Sequence, residues 1–441
     1  MANFDGIIVI GAGLAGCEAA YQISKNKINV LLFEMKPKKL TAAHKTNNLA
    51  ELVCSNSLKT TSIDKASGIL KNEMVNLDSF ILTNAYAARL PAGGALAVDR
   101  EKFANNITNQ IKNNEYVQII NEEIEEIPEE SKNPIIIATG PLTSEKLSSS
   151  IRDFIGEEYL SFYDSISPII SKESLDNDYY FQASRYEESE GDYINCPLNE
   201  SEYKEFYTAL IASEKIEFHE FEKPNYFEGC LPIEVMAERG YDTLRFGPMK
   251  PVGLVDPKTK KRPFAVVQLR KEDSYETMWN IVGFQTKMKI GDQKKVLSII
   301  PALRNAEFLR FGSIHRNTYI NSPGTISPTL QTLKNPNLFF AGQIIGVEGY
   351  TESAAMGQIA GINASRLYKN KKPIVFPATS ALGCLTEYIT NPKSKKIQPM
   401  NINLGLFNVE KPKKNIEAIK SMSNDAINDI RKINQIELDL V

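Results

Sequence analysis

The apolar residues of this chain fall into dense clusters, and the first sets the pattern for the others. Ile7-Ile8-Val9-Ile10 is a continuous run too short for a core helix and predicts a buried parallel strand. Small and apolar residues around 14–22 predict a helix after it, and 29–33 a second strand. Ile69, Leu70, Met74, Leu77, Phe80 and Ile81 recur near helical spacing, and a further helix is predicted to start at Asp99, with Phe103, Ala104, Ile107 and Ile111 inward. Residues 134–138 and 337–341 predict two more buried strands, the later one leading into a small-residue helix through Ala364. Between them the apolar segments shorten and alternate, as at 265–269 and 279–284, which predicts a mixed α+β domain. In the tail Ile416, Ile419, Ile427, Ile430 and Ile433 form one helical stripe that predicts a packing face. The chain therefore divides into a discontinuous first domain, 1–144 and 326–414, an inserted domain, 145–325, and a C-terminal helix, 415–441.

The first strand runs into Gly11-Ala12-Gly13-Leu14-Ala15-Gly16, a G-x-G-x-x-G turn that opens a helix and lays a dinucleotide pyrophosphate against helix N-terminal amides. Gly11 permits the tight turn, Gly13 lets the ligand approach the backbone, and Gly16 lets the helix close onto the strand. The second strand delivers Glu34 about twenty residues on, where a carboxylate accepts ribose hydroxyls. Ala138-Thr139-Gly140 ends the next buried strand, as in two-dinucleotide-type flavoproteins. The loop at Gly342 and Gln343 precedes a late helix whose amides can complete a flavin site. The predicted class is α/β: a Rossmann-like FAD-binding domain of the two-dinucleotide type with an inserted α+β domain. A second G-x-G-x-x-G is missing, so NADH or NADPH has no fold of its own here and must visit transiently.

Composition narrows the options without changing this picture. A length of 441 residues predicts two domains, and 42% hydrophobic and 24% charged residues match ordinary globular proteins. The apolar runs are too short for a membrane span and no basic leader precedes the first strand, so a cytoplasmic protein is expected. Five cysteines and three histidines are scattered without C-x-x-C, and no metal site is expected. The net charge of −3 conceals an asymmetry: residues 360–415 carry +8, including Lys393, Lys395 and Lys396, against −11 for the remainder. That segment and the run from Lys258 to Arg262 are either solvated faces or a surface for phosphate backbones. Six glutamates between Glu122 and Glu130 form an acidic edge that repels RNA.

Two thiols stand out locally. Cys54 lies in Glu51-Leu52-Val53-Cys54-Ser55-Asn56-Ser57-Leu58, among small hydrogen-bonding residues that suit a turn more than a packed interior. Cys230 lies between Gly229 and Pro232, with Glu228 and Glu234 close by, a setting for a nucleophile. Both have the alternative reading of a small core residue. The loop Leu90-Pro91-Ala92-Gly93-Gly94-Ala95 is either a plain connection or a backbone passing close to a flat ligand.

Taken together, GAGLAG at 11–16, ELVCSNSL at 51–58, FEGCLPIE at 227–234, HRNTYINSP at 315–323 and FFAGQIIGVEGYTESAAMGQIAG at 339–361 closely resemble the folate- and FAD-dependent uracil-5-methyltransferases. The resemblance spans essentially the whole chain. It implies methyl transfer without S-adenosylmethionine: a one-carbon unit passes from methylenetetrahydrofolate, by way of reduced FAD, to carbon-5 of a uridine, with NAD(P)H supplying electrons. It also implies that Cys230 adds to uracil carbon-6, since carbon-5 is a poor nucleophile until a thiolate makes an enolate, and that Cys54 assists removal of the carbon-5 proton. His315 either stacks on folate or the flavin ring or is a structural histidine. The family's usual substrate is the T-loop uridine of tRNA; a uridine of 23S ribosomal RNA is the alternative target. A flavin-dependent thiol or NAD(P)H oxidoreductase is the alternative of a different class.

Overall fold

The computed structural model describes residues 4–41, 43–128, 132–156, 160–185, 191–216, 231–394 and 396–436; within these, only the backbone is described for 160–166, 314–317 and 434–436. Five strands form a fully parallel sheet in the order Leu338–Phe340, Ile135–Ile137, Ile7–Ile10, Val30–Phe33, Val117–Ile120. Ile7–Ile10 pairs in register with Val30–Phe33 on one side and with Ile135–Ile137 on the other, so the strand order reverses at the first strand. Reversal opens a crevice at the carboxyl ends of the strands, where α/β sheets bind their ligands.

Close helix packing covers this sheet. The helix Leu14–Ser24 begins directly after the glycine turn, and a Cβ on Gly16 would meet the Gly11 carbonyl oxygen at 1.7 Å. The late helix Tyr350–Tyr368 lies against it: a Cβ on Gly357 would meet the Ala15 carbonyl oxygen at 2.2 Å, and one on Gly361 the Ala19 oxygen at 2.8 Å. Two buried carboxylates cap helices alongside the local serine caps Ser79 and Ser380. Glu18 accepts from the amides of Phe80 and Ile81, at the start of helix Phe80–Ala87, and from the Ser79 hydroxyl. Glu73 accepts from the amides of Ala381 and Leu382, at the start of helix Ala381–Thr390, and from Ser423. Burial raises both carboxyls, Glu73 to about 7.

The apolar run expected as one helical stretch is two helices, Ala66–Asn76 and Phe80–Ala87, because the Ser79 hydroxyl caps the second by accepting from the Leu82 amide. Asp99 caps helix Arg100–Lys112 through the Lys102 amide, and Phe103, Ala104, Ile107 and Ile111 are buried. In the C-terminal helix Ile416–Ile436, Ile419, Ile427 and Ile430 are buried, while Ile433 is exposed.

A second core surrounds a six-stranded antiparallel sheet ordered Phe181–Gln182, Tyr193–Leu198, Ala265–Lys271, Met278–Ile281, Ile169–Ser171, Phe308–Arg310. Trp279, Tyr203, Phe206 and Phe284 fill it under helices Glu200–Ala212, Ile233–Glu238 and Ile290–Leu297. The paired strands Leu160–Ile166 and Ser313–Tyr319 run between the two cores. The junctions of the insertion differ from the expected 145 and 325. Helix Glu145–Ile155 buries Leu147 and Ile151 in the first core, as do Tyr319 and Ile320, because their apolar faces meet the parallel-sheet layer.

Candidate active site

Each parallel strand delivers residues to one groove at its carboxyl end. Gly11, Ala12, Gly13, Leu14 and Ala15 follow the first strand, Glu34 to Lys36 the second, and Glu122 to Ile124 the third. Ala138 to Ser144 follow the fourth and Gly342 and Gln343 the fifth, while Tyr350 and Ser353 close the groove from the late helix. It encloses about 1100 Å³ of empty space including its open mouth.

The groove fits a dinucleotide on its own geometry. A Cβ at Gly13 would meet no protein atom within 4 Å, so this turn presents bare backbone to the open space and to the N-terminus of an eleven-residue helix. Gly342 has φ +85°, and a Cβ there would meet that of Ala15 at 2.8 Å, so the fifth-strand turn also closes against the fingerprint helix. Glu34 is buried at the groove floor, its two oxygens accepting from the amides of Ala12 and Lys36, each at 3.0 Å. Each carboxylate oxygen keeps a second lone pair for a ribose hydroxyl. Gln343 donates to Glu348 at 2.6 Å, which orients the last loop.

Local sequence did not reveal His44, Lys36 and Thr41 as groove residues. Burial, and then the Lys36 charge, hold the His44 imidazole below its ordinary range, and its Nδ1 lies 2.6 Å from the Thr41 hydroxyl. Glu122 and Glu123, expected on an outer acidic edge, line the groove mouth, with Glu123 paired to Lys39 at 2.8 Å. The loop 90–95 serves the inserted domain instead. Gly93 N–H donates to Asp192 at 2.6 Å, and Tyr193 donates to the Ala92 carbonyl at 3.1 Å.

Cys54 sits beside this groove. Its amide donates to the Tyr350 hydroxyl at 2.6 Å, and its neighbour Val53 and Tyr350 itself line the cavity. It is half-buried, whereas Cys17, Cys196 and Cys384 are buried and desolvation pushes their thiols upward, Cys384 to about 12. Those three have the environment of inert core thiols. Arg100 donates to the carbonyls of Leu52 and Cys54, each at 2.5 Å, and its Nε pairs with Glu272 at 2.5 Å. Arg310 donates to the Val53 carbonyl at 2.7 Å. Asn56 donates to the carbonyls of Val98 and Lys271 and accepts from Arg270 Nε. The signal for these arginines was absent locally, because Glu272 and Arg310 come from the inserted domain.

Cys230 lies outside the described residues. The segment after it is anchored: Pro232 precedes helix Ile233–Glu238, and the carboxylate of Glu234, four residues after the thiol in sequence, is buried and accepts from the amides of Lys287 and Met288 and from Thr286. His315 falls in strand Ser313–Tyr319, its backbone opposite Asp164, and its side chain is outside the described residues. Lys393 and Lys396 are exposed beyond helix Ala381–Thr390, and Lys395 is outside the described residues. Among the described residues, no helix is long and apolar enough to cross a membrane.

Residues 6–372 match the family model described as glucose inhibited division protein A. The chain is 56% identical over 399 residues to methylenetetrahydrofolate--tRNA-(uracil-5-)-methyltransferase TrmFO of Bacillus licheniformis, covering 90% of this chain and 91% of the relative. It is 53% identical over 425 residues to the Bacillus cereus protein of the same name, covering 96% and 97%. The solved structure of Aquifex aeolicus GidA superposes with a TM-score of 0.68 at 17% identity, over 98% of this chain and 76% of that one, which establishes the shared fold. With that fold, the fingerprint groove and identity above half along nearly its full length, the chain belongs to the TrmFO family, within the wider glucose inhibited division protein A group.

Proposed function

We propose that this protein is a methyltransferase dependent on FAD and methylenetetrahydrofolate, forming 5-methyluridine in the T-loop of tRNA in the cytoplasm with NADPH or NADH as reductant. The observation that carries the reading is the placement of Cys54, whose amide is held by a tyrosine that lines the dinucleotide groove.

FAD, when bound, would supply the carrier and electron chemistry that brings a folate one-carbon unit to the methyl level. Gly11 to Gly16 and the helix behind them bind its pyrophosphate, Glu34 its ribose, and Gly342 and Gln343 close the far side. The target uridine leaves its stack to reach the groove. The Cys230 thiolate adds to carbon-6, and its electron pair makes the enolate that renders carbon-5 nucleophilic. After carbon-5 gains its new substituent, Cys54 takes the carbon-5 proton; the pair of that C–H bond returns to the ring and expels the carbon-6 thiolate. The Arg100 and Arg310 contacts hold the Cys54 loop in place for this step.

Purified protein given labelled methylenetetrahydrofolate, NADPH and either unmodified tRNA or 23S ribosomal RNA tests the reading. Label in the tRNA T-loop is the expected result. Label only in ribosomal RNA would move the target, and flavin turnover with label in neither would overturn the function.

A further inference from the structure

The described residues from Lys36 to Glu51 leave the groove floor and return to it as a strap. At its first end the Lys36 amide donates to Glu34 at 3.0 Å, and at its last end the Ala50 amide donates to the Ala12 carbonyl at 2.9 Å. The strap therefore runs from the acid assigned to the ribose to the glycine turn assigned to the pyrophosphate. It is tied along its length. Lys36 Nζ reaches the Asn48 carbonyl, Asn48 donates to Asn105 at 2.9 Å, and the Leu49 amide donates to Thr108 at 2.9 Å. At the tip the Glu51 carboxylate accepts from the amides of Lys45 and Thr46. With the backbone so held, Thr41 and His44 line the groove while Lys45 and Thr46 beside them are exposed.

One side of the His44 ring is occupied and the other is not. Nδ1 lies 2.6 Å from the Thr41 hydroxyl, whose oxygen accepts from the Ala43 amide at 3.4 Å. The hydroxyl proton can then go to Nδ1, and burial, followed by the Lys36 charge, keeps the imidazole neutral at pH 7. A neutral ring with Nδ1 accepting carries its hydrogen on Nε2. Among the described residues, nothing is bonded to Nε2. Lys36 is the one lysine or arginine among the described residues that line the groove, and its ammonium is turned to the Asn48 carbonyl and lies 3.9 Å from Glu51. A diphosphate, whose oxygens only accept, thus meets an N–H on the strap rather than a free cation.

We propose that His44 is a binding residue for the adenosine-diphosphate half of FAD, its Nε2–H donating to a pyrophosphate oxygen while Thr41 fixes the ring. The inference rests on the FAD reading of the groove and adds a side-chain donor to the backbone amides of the glycine turn. The strap is then part of the cofactor site rather than a plain connection between the second strand and the Cys54 segment.

The test uses the full-length holoprotein, with the FAD dissociation constant read from the recovery of flavin fluorescence on serial dilution, so that neither RNA nor folate nor turnover enters. His44→Ala is expected to weaken FAD binding about tenfold, as loss of one hydrogen bond to a charged oxygen would. His44→Gln, whose amide nitrogen can stand where Nε2 stood, is expected to stay within about threefold of the parent. Parent affinity in His44→Ala would overturn the proposal, and so would an equal loss in both variants, which would mean that the ring only fills space. If His44→Ala does not accumulate as folded protein, Thr41→Val decides, because it keeps the ring and releases its orientation: a loss of about threefold or more is expected, and parent affinity counts against the proposal. A parent protein that binds no FAD would instead sink the function proposed above, whereas a parent that holds FAD and methylates tRNA while His44→Ala binds FAD equally well would sink this inference alone.

Discussion

The backbone amide of Cys54 donates to the phenolic oxygen of Tyr350 at 2.6 Å, a bond between residues 296 positions apart that ties the thiol's loop to the first turn of the groove helix. Tyr350→Phe removes this acceptor, and losing one such hydrogen bond costs roughly 0.5–1.5 kcal/mol. The expected outcome is about a tenfold loss of methylation with FAD content unchanged. Unaltered turnover would mean that the bond does not position the thiol.

Gly13 and Gly16 lie three residues apart and are predicted to fail differently. Gly13→Val places its side chain in open groove space, so the variant should fold with the parent's circular dichroism and bind no FAD. Gly16→Ala drives a methyl group into the Gly11 carbonyl and should reduce soluble, folded protein. A yellow, FAD-loaded Gly13→Val protein would place the pyrophosphate elsewhere.

These glycines were legible in the sequence because the strand and the turn that opens the helix occupy ten consecutive residues, 7–16, and the acid on the next strand has a fixed offset. The arginine contacts to the Cys54 loop were not, since Arg100 meets Glu272 across 172 positions and Arg310 meets Val53 across 257. Hydrophobic periodicity located helix Arg100–Lys112 but is blind to remote caps, so nothing near residue 80 announced that Glu18 would satisfy the start of helix Phe80–Ala87. The insertion junction was misplaced for a related reason. Leu147 and Ile151 have the spacing of any amphipathic helix, and only the assembled sheet decides which core they join.

Glu73 gives the fold a pH dependence. Burial raises its carboxyl from an ordinary value of 4.5 to about 7, so the folded state binds more protons than the unfolded state between those values. Its contribution is fully present below pH 4.5 and is lost as pH rises through 7, by up to about 3 kcal/mol. Thermal melts from pH 5 to 8 should therefore fall more steeply for the parent than for Glu73→Gln, which cannot titrate there. Parallel curves would remove Glu73 as the cause.

Lys393, Lys395 and Lys396 are predicted to face RNA phosphates. Changing all three to Gln should weaken binding to every RNA sequence and flatten the dependence of log K on log salt by about one counterion for each lost phosphate contact. An unchanged slope, measured by filter binding between low and moderate salt, would direct the search to the run from Lys258 to Arg262.

The central claim is that two thiols divide the chemistry on uracil, and covalent trapping tests it most directly. Cys230→Ala and Cys54→Ala are each incubated with unmodified tRNA, methylenetetrahydrofolate and NADPH, and resolved on denaturing gels beside flavin-reduction kinetics. Cys230→Ala is predicted to give neither methylation nor a protein-RNA adduct while its FAD is still reduced at the parent rate. Cys54→Ala is predicted to accumulate the adduct without turning over. An adduct in Cys230→Ala, or loss of flavin reduction in both variants with FAD bound and no adduct in either, would contradict the assignment and point to a redox pair.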